Sequence, residues 1–104
     1  MEQLVLDHYQ ERASIQQRFE DFDAANPWVY LELVRMARQA RANGARRLGI
    51  GQLFEVLRWQ TAMTTRSWDG FKLNNSLRSR YARMIMDREP DLADIFETRE
   101  LRAA

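Results

Sequence analysis

Ser76, Ser79, Arg80 and Arg83 fall on one side of a helical projection started at Ser76. Hydroxyl and guanidinium groups in that pattern suit hydrogen bonding to base edges and phosphate oxygens. Lys72, Asn74 and Asn75 stand just ahead of them, where phosphate contacts would fix the register of a helix laid in a groove. Arg78 lies among them, and Arg46 and Arg47 add a basic pair upstream. The bland alternative for these residues is a solvated basic helix face, and both readings stay open on the sequence alone.

Other chemistries fit the residues poorly. His8 is the single histidine and there is no cysteine, so neither a Cys/His pair nor a Ser/His/Asp triad near Ser76 or Ser79 can be built. Gly49 and Gly51 lack the third glycine and the long preceding strand of a phosphate loop. Asp91, Asp94, Glu97 and Glu100 read as capping and solvating acids rather than a metal or catalytic pair. No catalytic residue, metal site or cofactor is expected.

The charges are segregated along the chain, which the net value of +1 conceals. Seven carboxylates face two arginines in residues 1–34, eleven cations face two acids in 35–83, and six acids face three arginines in 84–104. The middle is thus strongly basic between two acidic ends, a layout that would focus a field on a polyanion such as nucleic acid. Fifteen of the sixteen cations are arginine, the side chain suited to bidentate phosphate and guanine contacts.

The elements that must position these residues are helical. Residues 2–24 carry Leu4, His8, Ile15, Phe19 and Phe22 at helical steps. The stripe is narrow, as for a coiled-coil seam or a helix lying on a domain, and dimerisation through residues 2–22 is expected. Asn26-Pro27 marks a start, with Asn26 as cap, and Gly44 marks the stop of a helix over 27–43. Val29, Leu33, Met36, Ala37 and Ala40 face its core side, leaving Trp28, Leu31 and Val34 as an apolar outward face that needs a cover. Residues 46–50 read as a short strand. Residues 51–64 read as a helix with Leu53, Val56, Leu57 and Met63 inward and Phe54 and Trp59 flanking. Ser67 to Gly70 read as a turn and Phe71 to Leu73 as an edge strand. A helix follows from Asn75 or Ser76 to Arg88, with Leu77, Tyr81, Met84 and Ile85 inward. Asp91 to Phe96 read as a last short helix, and the pattern over 98–102 is too short to assign.

This order predicts a mainly α, compact domain over 25–104 of winged helix-turn-helix character, preceded by an N-terminal helix over 1–24. The connection of about ten residues over 65–74 is long for a helix-turn-helix turn. A chain of 104 residues, 45% hydrophobic, suits one folded domain. The absence of cysteine, of a spanning apolar run and of a basic leader points to a reducing cytoplasm and no membrane.

Gly51-Gln52-Leu53-Phe54-Glu55-Val56-Leu57-Arg58-Trp59, Phe71-Lys72-Leu73-Asn74-Asn75 and Ser79-Arg80-Tyr81-Ala82-Arg83 resemble a family of small phage, prophage and bacterial proteins. Pro90 to Ala93 and Phe96 to Leu101 are similar too, so the likeness runs over about 19–102. It implies an origin in a phage or mobile element; it implies no particular activity, and no functional residue is carried over from it.

Two functions of different class follow. One is a non-enzymatic DNA-binding protein, a regulator, reading DNA through Lys72, Asn74, Asn75, Ser76, Arg78, Ser79, Arg80, Arg83, Arg46 and Arg47, with RNA as a weaker target. The other is a binder of a host or phage protein, using the basic face or the Trp28/Leu31 surface. The arrangement of the cations decides between them: convergence of the arginines of 35–83 on one surface favours nucleic acid, and scatter favours a protein partner.

Overall fold

The computed structural model describes residues 2–65 and 72–97, with side chains described from residue 14 onward. Four α-helices occur among the described residues: α1 (Glu2–Ala25), α2 (Pro27–Ala42), α3 (Ile50–Thr65) and α4 (Arg78–Arg88). Single 3-10 turns at Asn75–Leu77 and Pro90–Leu92 flank α4. The mainly helical expectation holds.

Local chemistry sets the helix ends. Asn26 does not cap α2: its side chain and its backbone N–H both donate back to the Phe22 carbonyl, at 3.1 and 2.9 Å. It therefore closes α1, satisfying a carbonyl that the end of that helix would orphan. Pro27 starts α2 from the first position, where its missing N–H costs nothing. At the other end Gly44 takes φ +101°, while Gly44 and Ala45 donate to the carbonyls of Arg41 and Ala40. That pair of bonds is a Schellman closure, which needs the left-handed conformation glycine tolerates. Before α4 the Asn74 side chain accepts from the Ser76 N–H at 2.9 Å, so the helix is entered through a tight turn and its α-portion begins at Arg78.

α2, α3 and α4 pack on one another around Val29, Leu33, Phe54, Leu57, Tyr81 and Ile85, all essentially inaccessible. Leu92, Ile95 and Phe96 close the same core from the chain beyond α4. The C-terminal half of α1 joins through Phe19, which is buried, and Phe22, which is half-buried. At about 36 Å α1 is long for the molecule. The radius of gyration, 15.4 Å, exceeds the ~13 Å of a compact chain of this size.

Several expectations are corrected. The short strand over 46–50 is a single parallel bridge between Leu48 and Phe96, and no longer strand occurs among the described residues. Residues 72–74 form no strand either; Phe71, the turn over 67–70 and residues 98–102 lie outside the described residues. Residues 91–96 form one 3-10 turn and an extended end, and Asp91 makes no cap bond, its carboxylate being engaged by Arg38. Val34 is buried, not outward. In α3 the phase is rotated: Phe54 is fully buried, whereas Val56 and Met63 are exposed.

Candidate functional site

The arginines of α2 belong to the fold's own ion pairs. Arg35 holds Glu32 one turn earlier. Arg38 reaches across to Glu89 at 2.7 Å and Asp91 at 2.9 Å, and Arg41 to Asp94 at 2.7 Å. Two of the acids that the sequence offers as capping and solvating groups, Asp91 and Asp94, are thus counter-charges of α2. Hydrogen bonds from Arg38 and Arg41 hold the Asp91 and Asp94 carboxyls below the usual range, and Arg35 does the same to Glu32. Burial pushes the Tyr30 hydroxyl up to about 12, helped by its 2.7 Å hydrogen bond to Glu89.

Arg58 of α3 is a structural clamp. Its guanidinium donates to the Leu73 carbonyl at 2.6 Å, to the Asn75 side chain and to Glu55, and lies 6.0 Å from the Phe54 ring centre. It pins the segment entering α4 onto α3, a role whose only local sign is the pairing of a long cation with a Glu three residues earlier.

The face of α4 proposed to read bases is partly occupied by α1: Ser76 and Arg83 are exposed, whereas Ser79 and Arg80 are half-buried. Arg80 donates to Gln16 of α1 at 2.8 Å. Arg80, Arg83 and Arg88 line one wall of a cleft of about 470 Å³ whose other wall is Gln16, Glu20 and Asp23 of α1. Tyr81 donates to Asp23 at 3.3 Å and meets Phe19 edge to face at 4.9 Å, which fixes α1 there. Phe19 and Phe22, two residues of the expected dimer stripe, are engaged in this intramolecular contact. Among the described residues, Glu20 and Asp23 of the acidic N-terminal segment thus lie beside the α4 arginines, and Glu89, Asp91 and Asp94 of the acidic C-terminal segment pair with α2.

The remaining proposed residues sit at two loops. Arg46, Lys72 and Arg78 are exposed and hold no carboxylate among the described residues. Arg47 is exposed and lends charge to Asp94. Arg78 bonds the Asn75 carbonyl at 3.3 Å, and its guanidinium crosses Gly51 so closely that a Cβ there would lie 2.8 Å from it. That contact joins the start of α3 to the start of α4. Asn74 and Ser76 serve the turn; Ser79 is half-buried.

A second surface is apolar. The exposed large hydrophobic side chains among the described residues, Trp28, Leu31, Val56, Trp59 and Met63, all belong to α2 or α3. Between those helices runs an open groove of about 550 Å³, lined by Trp28, Leu31, Glu32 and Arg35 of α2 and by Leu57, Gln60, Thr61, Thr64 and Thr65 of α3. Val56, Trp59 and Met63 form a stripe at helical spacing along the outside of α3, and Gln60 is its helical neighbour and the groove's edge. Leu31, 67% exposed, and Trp59, 59% exposed, are much more open than large apolar side chains usually are.

No helix among the described residues is long and apolar enough to cross a membrane, and no group of three or more metal-ligating side chains occurs among them. The fold and these surfaces define a small, mainly helical domain. No protein-family description, curated protein or solved structure matches the chain.

Proposed function

We propose that the protein is a non-enzymatic association module that engages protein through the α2–α3 face. The observation that carries this is the exposure of Trp28, Leu31, Val56, Trp59 and Met63 on one helix pair, with Trp28 and Leu31 lining a groove between the two helices. Apolar patches of this kind mark interaction sites, and an aromatic-rimmed groove between helices suits a docked helix or side-chain anchor. The scatter of the arginines supports the same choice, since Arg35, Arg38, Arg41 and Arg58 serve four different internal contacts. An origin in a phage or mobile element and a place in a bacterial cytoplasm belong to the proposal and rest on the sequence resemblance and composition. The test is capture from nuclease-treated bacterial lysate with the whole chain and with Leu31→Glu. Proteins retained by the parent and lost by the variant support the reading; identical sets from both, or none, overturn it.

A second reading is favoured by the exposed cations at the two loops. Nucleic acid would meet Arg46, Arg47, Lys72 and Arg78 rather than Arg80 and Arg83. The succession of α2, the Leu48–Phe96 bridge, α3 and α4 keeps the order of a winged helix-turn-helix, which supports it. Titration of duplex DNA against salt tests it. Three or four phosphate contacts give a slope of log affinity on log salt of about −3 to −4, weakened by Arg78→Ala and less by Arg80→Ala. No binding at low salt removes this reading.

A further inference from the structure

We propose that the C-terminal half of α1 is a displaceable strap that withholds the cations of α4 from the phosphate backbone of nucleic acid. This goes beyond both readings above, which use the α2–α3 face and the loop cations. The core is largely built without the strap: Val29, Leu33, Phe54, Ile85, Leu92 and Ile95 are all inaccessible, and all lie outside α1. Among the described side chains of α1, Phe19 is the one that is buried. Arg80 donates to Gln16 at 2.8 Å, and Tyr81 to Asp23 at 3.3 Å, which is long for a hydroxyl donor.

Charge also holds the strap. Asp23 stands in the last turn of α1, with Glu20 and Asp21 just before it, and that turn carries no basic residue. Carboxylates there meet the negative end of the helix dipole, a placement that nearby cations offset. Arg80, Arg83 and Arg88 supply them from the opposite wall of the 470 Å³ cleft. Among the described residues neither Arg80 nor Arg88 closes an ion pair with Glu20 or Asp23. The attraction therefore acts across an open cleft, where it is weak. A bidentate phosphate contact to the same guanidinium groups is stronger.

The joint lets the strap swing as a unit. Asn26 is the single residue between α1 and α2, and its side chain and N–H both donate to the Phe22 carbonyl, so it moves with α1. Pro27 fixes its own φ, which leaves the ψ of Asn26, here 62°, as the soft torsion of the joint. The row behind the strap selects the ligand. From Arg80 to Arg88 the helix rises about 12 Å, and the three arginines along it line one cleft. A row of cations that long matches successive phosphates of a strand rather than one small anion. Arg80 is half-buried and Arg83 exposed, so α1 withholds them by charge more than by cover. Phosphate and the α1 carboxylates compete for the same groups, and each weakens the hold of the other by the same factor.

The test uses the whole chain and a short labelled DNA duplex at low salt. In the parent, amides from Gln16 to Ala25 are expected to exchange faster when saturating duplex is present, while those of α3 and α4 do not. Phe19→Ala removes the buried anchor of the strap and no charge. It is expected to bind the duplex at least about tenfold more tightly, with a salt slope steeper by about 2–3, from contacts of roughly 0.9 each. Adding Arg80→Ala/Arg83→Ala to Phe19→Ala is expected to remove most of that gain. Three results each overturn the proposal: α1 exchange in the parent that duplex leaves unchanged, a Phe19→Ala chain with α3 and α4 still protected that binds no more tightly, and a gain that survives loss of both arginines. If Phe19→Ala loses protection throughout, the exchange of the parent decides alone. Duplex bound with α1 unmoved removes this inference and leaves the loop cations as the nucleic-acid contact.

Discussion

Tyr81 is where three helices are tied together. Its ring is buried against Phe19 of α1 at 4.9 Å and Phe54 of α3 at 6.1 Å, both edge to face, while its hydroxyl donates to Asp23. Burial pushes the hydroxyl's pKa well up, and the neighbouring Asp23 carboxylate adds to that, so the group stays a neutral donor. Removing the ring and removing the hydroxyl should therefore have different costs. Tyr81→Ala is expected to destabilise by about 3–5 kcal/mol, the usual loss for a large buried side chain. Tyr81→Phe keeps the three-ring contact and loses one long hydrogen bond, about 1 kcal/mol. Urea denaturation of both variants checks this. Equal losses would mean that the hydroxyl, not the ring, anchors α1.

Arg58 shows what one side chain contributes to an element. Held to Glu55, Leu73 and Asn75 and lying over Phe54, it fixes the segment that leads into α4. A lysine has the charge but not the planar fork, and cannot serve three acceptors while stacked on a ring. Arg58→Lys is expected to cost about 1–2 kcal/mol, with faster amide exchange at Ser76 and Leu77 while α2 keeps its protection. Unchanged exchange at those amides would show that the Asn74 cap holds the segment by itself. The sequence disclosed most of the helices. Pro27 and Gly44 bound α2 because their backbone constraints act locally, and the inward arc of α4 followed from Leu77, Tyr81 and Ile85. The phase of α3 was hidden because its apolar residues surround the helix. Phe54 and Leu57 point one way, Val56, Trp59 and Met63 the other, so periodicity could not choose. What chooses is that Arg58 and Thr61 can turn inward: Arg58 finds carbonyl and amide acceptors there, and Thr61 donates to Leu57 at 2.8 Å. The same blindness affected the candidate site. Arg80 and Arg83 were placed outward correctly with respect to α4, but no local pattern reveals that α1 lies across that side.

At the scale of the molecule, acids from both ends of the described chain lie against the basic helices. Glu89, Asp91 and Asp94 reach α2 from the far end of the chain, and Glu20 and Asp23 line the cleft beside α4. This arrangement fixes how stability should vary with pH. The Asp91, Asp94 and Glu32 carboxyls are held below their ordinary values of 3.8, 3.8 and 4.5. Groups lowered in the folded state contribute stability above their unfolded values and lose it as pH falls through the folded ones. The acid limb should therefore start below about pH 4.5 and be shallow, because these pairs are exposed and screened by water. Tyr30 is raised from 10.0 to about 12 and contributes in the opposite sense. Its stabilisation is complete below pH 10.0 and disappears as pH rises toward 12. Melting temperature against pH should show a plateau between these limits. Asp91→Asn/Asp94→Asn should flatten the acid limb while leaving the alkaline limb in place, since Tyr30 is bonded to Glu89 and not to either aspartate. It should also release Arg38 and Arg41 and raise the net charge from +1 to +3 by the loss of two carboxylates. If counter-charge from the tail is what keeps α2 from polyanions, the variant should retain duplex DNA at low salt more strongly than the parent, with a steeper salt slope. Equal retention would show that the α2 arginines are turned away from any such ligand by geometry as well as by charge, leaving Arg46, Lys72 and Arg78 as the positions to test for nucleic acid.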